Sequence, residues 1–395
     1  MNVYFDNAAT TSVSETALNA MLPCLKENYG NASSLHALGQ EANRVLDESR
    51  QTIASLIGAN PSELYFTSGG SEADNWIITQ MAYQGRRKGK THLISTAFEH
   101  HAVLHTLKKL EKEGFEVTLL PVHEDGLVRP EELDAAITDK TALVTIMYAN
   151  NEIGTIQPIT ELAAISHKHG VFFHTDAVQA VGHLPIDVKA QGIDALSMSG
   201  HKFHGVKGTG ALYCRKGVLL GNLIEGGAQE RGKRAGTENI PGIVAMAAAL
   251  QEACDHMEEN AARVTAMRDK LIAGVLQIPN SRLNGDPVKR LPGNASFCFE
   301  GVEGESLLLR LDLAGVCASS GSACTSGSLD PSHVLLAIGL PTEVAHGSLR
   351  LTLDEVNTEE EVDYVLEKLP GIVRTLRNMS PVWEDMIEAG TAQAY

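Results

Sequence analysis

Between about residue 50 and residue 240, short apolar runs alternate with longer stretches in which apolar residues recur every three or four positions. The runs His92-Leu-Ile-Ser-Thr96, Val117-Thr-Leu-Leu-Pro121, Ala142-Leu-Val-Thr-Ile-Met147, Val171-Phe-Phe-His-Thr175 and Ala195-Leu-Ser-Met-Ser199 predict strands. Amphipathic segments lie between them. One of these begins Pro158-Ile-Thr-Glu-Leu-Ala-Ala-Ile165, with proline where a helix starts. Alternation of this kind predicts an α/β fold: a mostly parallel sheet flanked by helices. From Pro241 to about Ile278 proline is absent and glycine scarce, which predicts one or two long helices leaving the first domain. A smaller α+β domain should follow. It holds the strand-like Ser348-Leu-Arg-Leu-Thr-Leu353 and a capping box at Thr358-Glu-Glu-Glu361, with Val362, Val365, Leu366 and Leu369 on one helix face.

Composition narrows the function classes. The 395 residues carry 32 basic and 49 acidic side chains, a net charge of -17, which disfavours nucleic acid or an anionic membrane as partner. A hydrophobic content of 43% with 21% charged residues is that of a globular protein with a large core. The N-terminal Met1-Asn-Val-Tyr-Phe-Asp6 has neither the basic nor the apolar region of a signal peptide, and no stretch reaches the length of a membrane span. Six scattered cysteines read as reduced thiols in a cytoplasmic protein, and five of them (Cys24, Cys214, Cys254, Cys298, Cys317) as small buried hydrophobes.

Candidate chemistry begins at Thr67-Ser-Gly-Gly-Ser-Glu-Ala-Asp-Asn75, which follows a strand-like Leu64-Tyr-Phe66 and opens a helical pattern through Ile77, Ile78 and Met81. A strand, a glycine pair and a hydroxyl at a helix start make an anion site, because free N–H groups and the helix dipole both favour phosphate. Gly227-Ala-Gln-Glu-Arg-Gly-Lys-Arg234 nearly matches a P-loop but ends in Arg instead of the hydroxyl that would ligand magnesium, so nucleotide hydrolysis is set aside. Gly205-Val-Lys-Gly-Thr-Gly210 lacks dinucleotide-fingerprint spacing. Asp176 ends one apolar run and Lys202 follows the next, 26 positions on, a separation suited to one crossover. Both should emerge at strand carboxyl ends, where open α/β sheets bind ligands. Pyridoxal 5'-phosphate (PLP) needs such a pair: a lysine for its aldehyde and a carboxylate that keeps its ring nitrogen protonated.

Taken together, Ser199-Gly-His-Lys-Phe203, Ser319-Ser-Gly-Ser-Ala-Cys-Thr-Ser326 and Arg234-Ala-Gly-Thr-Glu238 make the chain resemble the cysteine desulfurases of the NifS/IscS group, fold-type I PLP enzymes of the class V aminotransferase family. The likeness runs from Tyr4-Phe-Asp-Asn-Ala-Ala-Thr-Thr11 to Met379-Ser-Pro-Val-Trp383. It implies a large PLP-binding domain over 14–258, and a small domain from 1–13 and 259–395 that carries a catalytic cysteine loop. Lys202 would bond the cofactor aldehyde, Asp176 would pair with the ring nitrogen, Gln179 would bind the ring hydroxyl and His100 would stack on the ring. His101, next in sequence, leaves the choice of stacking ring open. Gly70, Ser71, Ser199 and His201 would hold the phosphate, joined by Thr237 from the neighbouring subunit of a homodimer. Asn151 and Arg350 would grip the carboxylate of L-cysteine, since a guanidinium can hold a carboxylate with two parallel hydrogen bonds.

Cys324 lies in Ala318–Ser328, a segment of small, turn-prone residues without apolar periodicity, which reads as a mobile loop carrying a nucleophilic thiolate. The resemblance implies that L-cysteine becomes L-alanine while sulfur passes to Cys324 as a persulfide, then to an acceptor such as an iron–sulfur scaffold protein. An aminotransferase has no chemical need of Cys324. A selenocysteine lyase would prefer the seleno-substrate, and an idle scaffold would need none of Lys202, Asp176 and Cys324. His101 and His105 have helical metal-ligand spacing, but no third ligand accompanies them in the sequence, so no metal is expected.

Overall fold

The computed structural model describes residues 1–321 and 331–392. Seven strands form the main sheet, in the spatial order Leu64–Thr67, Gly210–Cys214, Ala195–Ser199, Phe172–Asp176, Thr141–Thr145, His92–Thr96, Glu116–Leu120. Pairing is parallel from Ala195–Ser199 outward to Glu116–Leu120, and only Gly210–Cys214 runs antiparallel to both its neighbours. The central strands are buried from end to end. That explains why they read as continuous apolar runs instead of alternating ones: helices cover both faces. Ala195–Ser199 and His92–Thr96 fall where the sequence predicts them, and the other three strands are shifted or shortened by one or two residues at their ends.

The glycine pair begins a helix, Gly70–Arg87, whose last turn presents Arg86 and Arg87 to solvent. The region from Pro241 forms two helices, Ile240–Asp255, with the proline in its first turn, and Met257–Val275, parted at His256. Beyond them, Ser348–Thr352, Asn294–Phe299 and Ser281–Leu283 make a three-stranded antiparallel sheet. The capping box forms as predicted, with the Thr358 side chain accepting from Glu361 N–H at the start of the helix Glu359–Arg377. Val362, Val365 and Leu369 are buried, but Leu366 is only partly so.

Buried apolar side chains fall into separate clusters. The largest spans residues on one side of the main sheet, and a second joins Val3 and Phe5 to residues between Val264 and Leu376. The N-terminus reaches this second cluster because Val3–Tyr4 pairs in parallel with Val316–Cys317. That pairing corrects the expectation that Cys317 is buried. In a strand of two residues Val316 faces the core, so Cys317 faces out and is exposed. Cys24, Cys214 and Cys298 are buried and Cys254 is partly so. The region Gly227–Arg234 holds left-handed Glu230 and Arg231 and no long helix, a shape unlike a P-loop.

Candidate active site

Parallel pairing brings the carboxyl ends of Phe172–Asp176 and Ala195–Ser199 side by side, with Asp176 ending the first. Ser199 opens the 3-10 turn Gly200–Lys202, which aims Lys202 into the same space. Here a cleft of about 560 Å3 is lined by Lys202, Asp176, Gln179, His100, Gly70, Ser71, Ser199, His201, Asn151 and Arg350. These ten residues come from six separated stretches of chain. Two sequence candidates are not on its wall. Thr237 is exposed, and Cys324 lies outside the described residues.

One end of the cleft is shaped by close backbone approach. A Cβ on Gly70 would come within 2.4 Å of Val178 Cγ2, and one on Gly210 within 2.6 Å of Gly69 Cα. Glycine at both positions lets the first turn of Gly70–Arg87 lie open to the cleft, with its N–H groups and dipole directed at whatever binds there. Ser199, nearly buried, lies beside this turn. His201 Nδ1 sits 3.1 Å from Thr10 Oγ1, and burial together with Lys202 and Lys207 pushes the ring down to about 4, so it is neutral. Glu72, in the same turn, accepts from Ser68 N–H and holds Arg234 through two hydrogen bonds of 2.8 and 3.0 Å. The stretch that carries Thr237 is thereby pinned next to the cleft, though Thr237 itself is exposed and not part of its wall.

At the centre, Lys202 Nζ donates to the carbonyls of Ala8 (2.6 Å) and Ala9 (2.8 Å), and Gln179 Nε2 donates to Ala8 O at 3.0 Å. Asp176 accepts from Val178 N–H at 2.9 Å. Burial raises its pKa, while His100 and Lys202 act in the opposite direction. His100 caps the helix His101–Lys112 by accepting Ala102 N–H on Nδ1 at 3.1 Å. Burial lowers its pKa as well, so the neutral ring carries its proton on Nε2. His101 instead packs against His333 and His105, with ring centroids 4.7 and 5.0 Å away. No metal cluster forms there among the described residues. The one set of described side chains close enough to hold an ion is His204, Asp354 and Glu355. It is already satisfied as an ion pair, with His204 Nε2 3.1 Å from Asp354 and Nδ1 donating to Ser12 O at 2.8 Å.

At the far end, Arg350 lies on the face opposite Leu349 and Leu351, as strand alternation requires, but that face lines the cleft and Arg350 is only 4% exposed. It pairs with Asp6 at 3.0 Å and donates to Asn151 O at 3.1 Å, while its Nε has no partner among the described residues. A buried donor left unmet beside a cleft suits an anionic ligand. Asn150 braces the turn: its side chain accepts from Glu152 and Ile153 N–H and donates to Phe98 O. Arg350 also exchanges backbone hydrogen bonds with Ser319, five positions before Cys324 in the sequence.

Several groups at the site escape sequence reasoning. Ala8, Ala9 and Thr10 line the cleft, and their signal was the Tyr4–Thr11 motif, which resembles the family without showing what it touches. Asp74, within the Thr67–Asn75 segment, is a buried acid on the cleft wall, and Glu99, next to His100, is buried as well. Burial drives Glu99 up to about 8. Glu152, pushed by burial to about 7, accepts a hydrogen bond from Ser332 Oγ and lies against Gly321.

The chain and its fold have many counterparts. The model of the aminotransferase class-V family matches residues 3–365. A protein of Methanosarcina thermophila named cysteine desulfurase IscS is 55% identical over 380 residues, covering 96% of this chain and 94% of the relative. Another of that name, from Clostridium botulinum strain Hall, is 53% identical over 389 residues, 98% of each. Among solved structures, a NifS-like protein superposes with a TM-score of 0.90 at 40% identity, covering 95% of this chain and all of that one. A structure titled SspA in complex with cysteine does so with a TM-score of 0.80 at 35% identity, covering 89% and 99%. The chain therefore belongs to the class V aminotransferase family and, within it, to the cysteine desulfurases.

Proposed function

We propose that the chain binds PLP at Lys202, removes sulfur from L-cysteine to leave L-alanine, and carries that sulfur as a persulfide on Cys324 for delivery to an acceptor protein. The observation that carries the reading is the cleft itself. A helix start with a glycine cradle, an amine, a buried carboxylate and a guanidinium with an unmet donor line one space of about 560 Å3. The set fits a phosphorylated pyridine aldehyde. Gly70, Ser71, Ser199 and His201 hold the phosphate, Asp176 the ring nitrogen, Gln179 the ring hydroxyl, and His100 the ring face. Bound there, PLP supplies an electron sink for the substrate carbons.

The protein's own groups do the rest. Arg350 and Asn151 orient the substrate carboxylate, with Asp6 giving up part of its hold on the guanidinium. Lys202 Nζ takes the proton from the substrate α-carbon, a role that suits an amine held by two carbonyls and able to swing from them. The Cys324 thiolate attacks the substrate sulfur, so an S–S bond forms as the carbon–sulfur bond breaks. The electron pair of the broken bond stays on carbon, and protonation there completes alanine. His100, a neutral ring with its proton on Nε2, can pass protons without adding charge to the site.

A homodimer completes this reading. Thr237 is exposed on a stretch pinned beside the cleft, free to reach a second copy's phosphate site, and Leu18, Leu25, Tyr29, Leu35 and Leu38 are exposed apolar side chains. An iron–sulfur scaffold is the acceptor that the IscS name of the relatives favours. A cytoplasmic location fits the five described cysteines, none of which is in a disulfide, and no described helix is long and apolar enough to cross a membrane. The test is release of alanine and sulfide from L-cysteine with added reductant, comparing wild type and Cys324→Ala. Matched products lost in the variant are expected. Equal activity in both would remove Cys324 as carrier, and no product from a PLP-loaded wild type would remove the substrate assignment.

A further inference from the structure

On the wall of the cleft that Asp176 also lines, the helix Gly70–Arg87 turns Asp74 inward, where it is 1% exposed and lies against Asp176. Two carboxyl groups in contact and out of water cannot both be ionised, so one holds a proton between them. Their surroundings decide which one. Asp176 accepts Val178 N–H and has His100 and Lys202 acting on it, all of which favour a negative charge. Asp74 has help only from Ser197. Its other polar neighbours are Glu99, an acid itself, and His174, whose Nε2 lies 3.7 Å from Asp74 Oδ1. His174 brings no charge: it is fully buried, bonded to Thr145 and Ser197, and held neutral at about 3 by burial. Among the described residues Asp74 Oδ1 has no hydrogen-bond partner, which costs less for the carbonyl oxygen of a neutral acid than for a carboxylate oxygen.

We propose that Asp74 is a positioning residue that stays protonated and donates its hydrogen bond to Asp176, so that Asp176 alone is anionic at the cofactor's ring nitrogen. Asp176 is then fixed from two sides, by the Val178 N–H and by the Asp74 hydroxyl, and needs no second cation to keep its charge. The inference rests on the proposed cofactor and on the role of Asp176.

The test compares Asp74→Asn, which keeps a neutral donor of the same shape, with Asp74→Ala, which removes the donor. Infrared difference spectra of the holoenzyme at neutral pH should show a carboxylic-acid carbonyl band in wild type that is missing from Asp74→Asn. Glu99 is present in both proteins and cancels. Asp74→Asn should keep its PLP content and stay within about twofold of wild-type kcat. Asp74→Ala should lose about tenfold in kcat, with KM little changed, as expected when a charged acceptor loses a buried partner. The pH profile of the bound cofactor's absorbance should follow wild type in Asn and shift in Ala. Identical infrared spectra for wild type and Asp74→Asn would overturn the proposal, even if Asp74→Ala fails to fold. So would a tenfold loss in Asp74→Asn. A wild type that binds no PLP would instead sink the cofactor reading while leaving the infrared result to be read on its own.

Discussion

Replacing His204 by glutamine should cost stability in a way that depends on pH. His204 lies two residues beyond Lys202, in the left-handed region (φ 62°), with its N–H bonded to Thr11 Oγ1 at 2.9 Å and its ring to Ser12 O, Asp354 and Glu355. It thus ties the lysine turn to the N-terminal wall of the cleft and to the end of the small sheet. Burial opposes a charge on the ring, but hydrogen bonds to Asp354 and Glu355 outweigh it and raise the ring from its ordinary 6.5 to about 10. Asp354 is held below the usual carboxylate range by the same contact, against the opposing effect of burial. A raised histidine stabilises the fold fully below 6.5, and that contribution is lost as pH climbs through 10. The lowered aspartate contributes above its ordinary value and loses that contribution as pH falls. The pair is therefore intact from mildly acidic pH to about 9.

A shift of this size sets a ceiling of about 5 kcal/mol. Breaking a buried ion pair by removing one partner costs roughly 3–5 kcal/mol, which agrees. Urea unfolding of the holoenzyme between pH 6 and 10.5 would measure it. The gap between wild type and His204→Gln should be about 3–5 kcal/mol near pH 6 and should close as pH approaches 10. Parallel stability curves for the two proteins across that range would refute the reasoning, because the ring would then carry no linked proton.

Three further outcomes follow from the same geometry. Gly70→Ala would drive a methyl into Val178, 2.4 Å away, costing about 1–3 kcal/mol of overpacking and most of the bound PLP. Cofactor absorbance per protein reads it directly. Arg350→Lys keeps the charge but loses the fork, so KM for L-cysteine should rise about tenfold or more while kcat changes less, measured by alanine formation. Glu152→Gln mimics the protonated acid. With burial raising Glu152 from 4.5 to about 7, wild type loses stability as pH rises through that window and the variant does not. Urea midpoints at pH 5 and pH 8 should therefore favour the variant by up to about 3 kcal/mol more at the higher pH.

Much of the architecture was legible because the central strands are buried on both faces and so appear as unbroken apolar runs. Asp176 and Lys202 could be placed from chain separation alone, since a parallel crossover returns both to one sheet edge. Arg350 was legible in its strand but not in its surroundings. Alternation sets it opposite the leucines, and only the pairing with Asp6, 344 positions away, makes that side a buried wall instead of a wet face. Cys317 failed for the opposite reason: its strand has two residues, too few to show a period.

The least legible groups are those whose role depends on a proton instead of a side-chain type. Asp74, Glu99, Glu152 and His174 read in sequence as charged or polar residues scattered through helices, strands and turns. Folding places all four out of water near one cleft of a protein whose net charge is -17. Were Asp74 and Glu99 ionised, each would repel Asp176, the one carboxylate the proposed chemistry needs as an anion. Burial removes that conflict by keeping Glu99 and Asp74 neutral, with Glu152 poised near neutrality, and by leaving His174 without charge. A cluster of buried acids around Asp176 is therefore consistent with the proposed function only if most of them hold their protons. This makes the protonation of Asp74 the condition on which the charge of Asp176 depends.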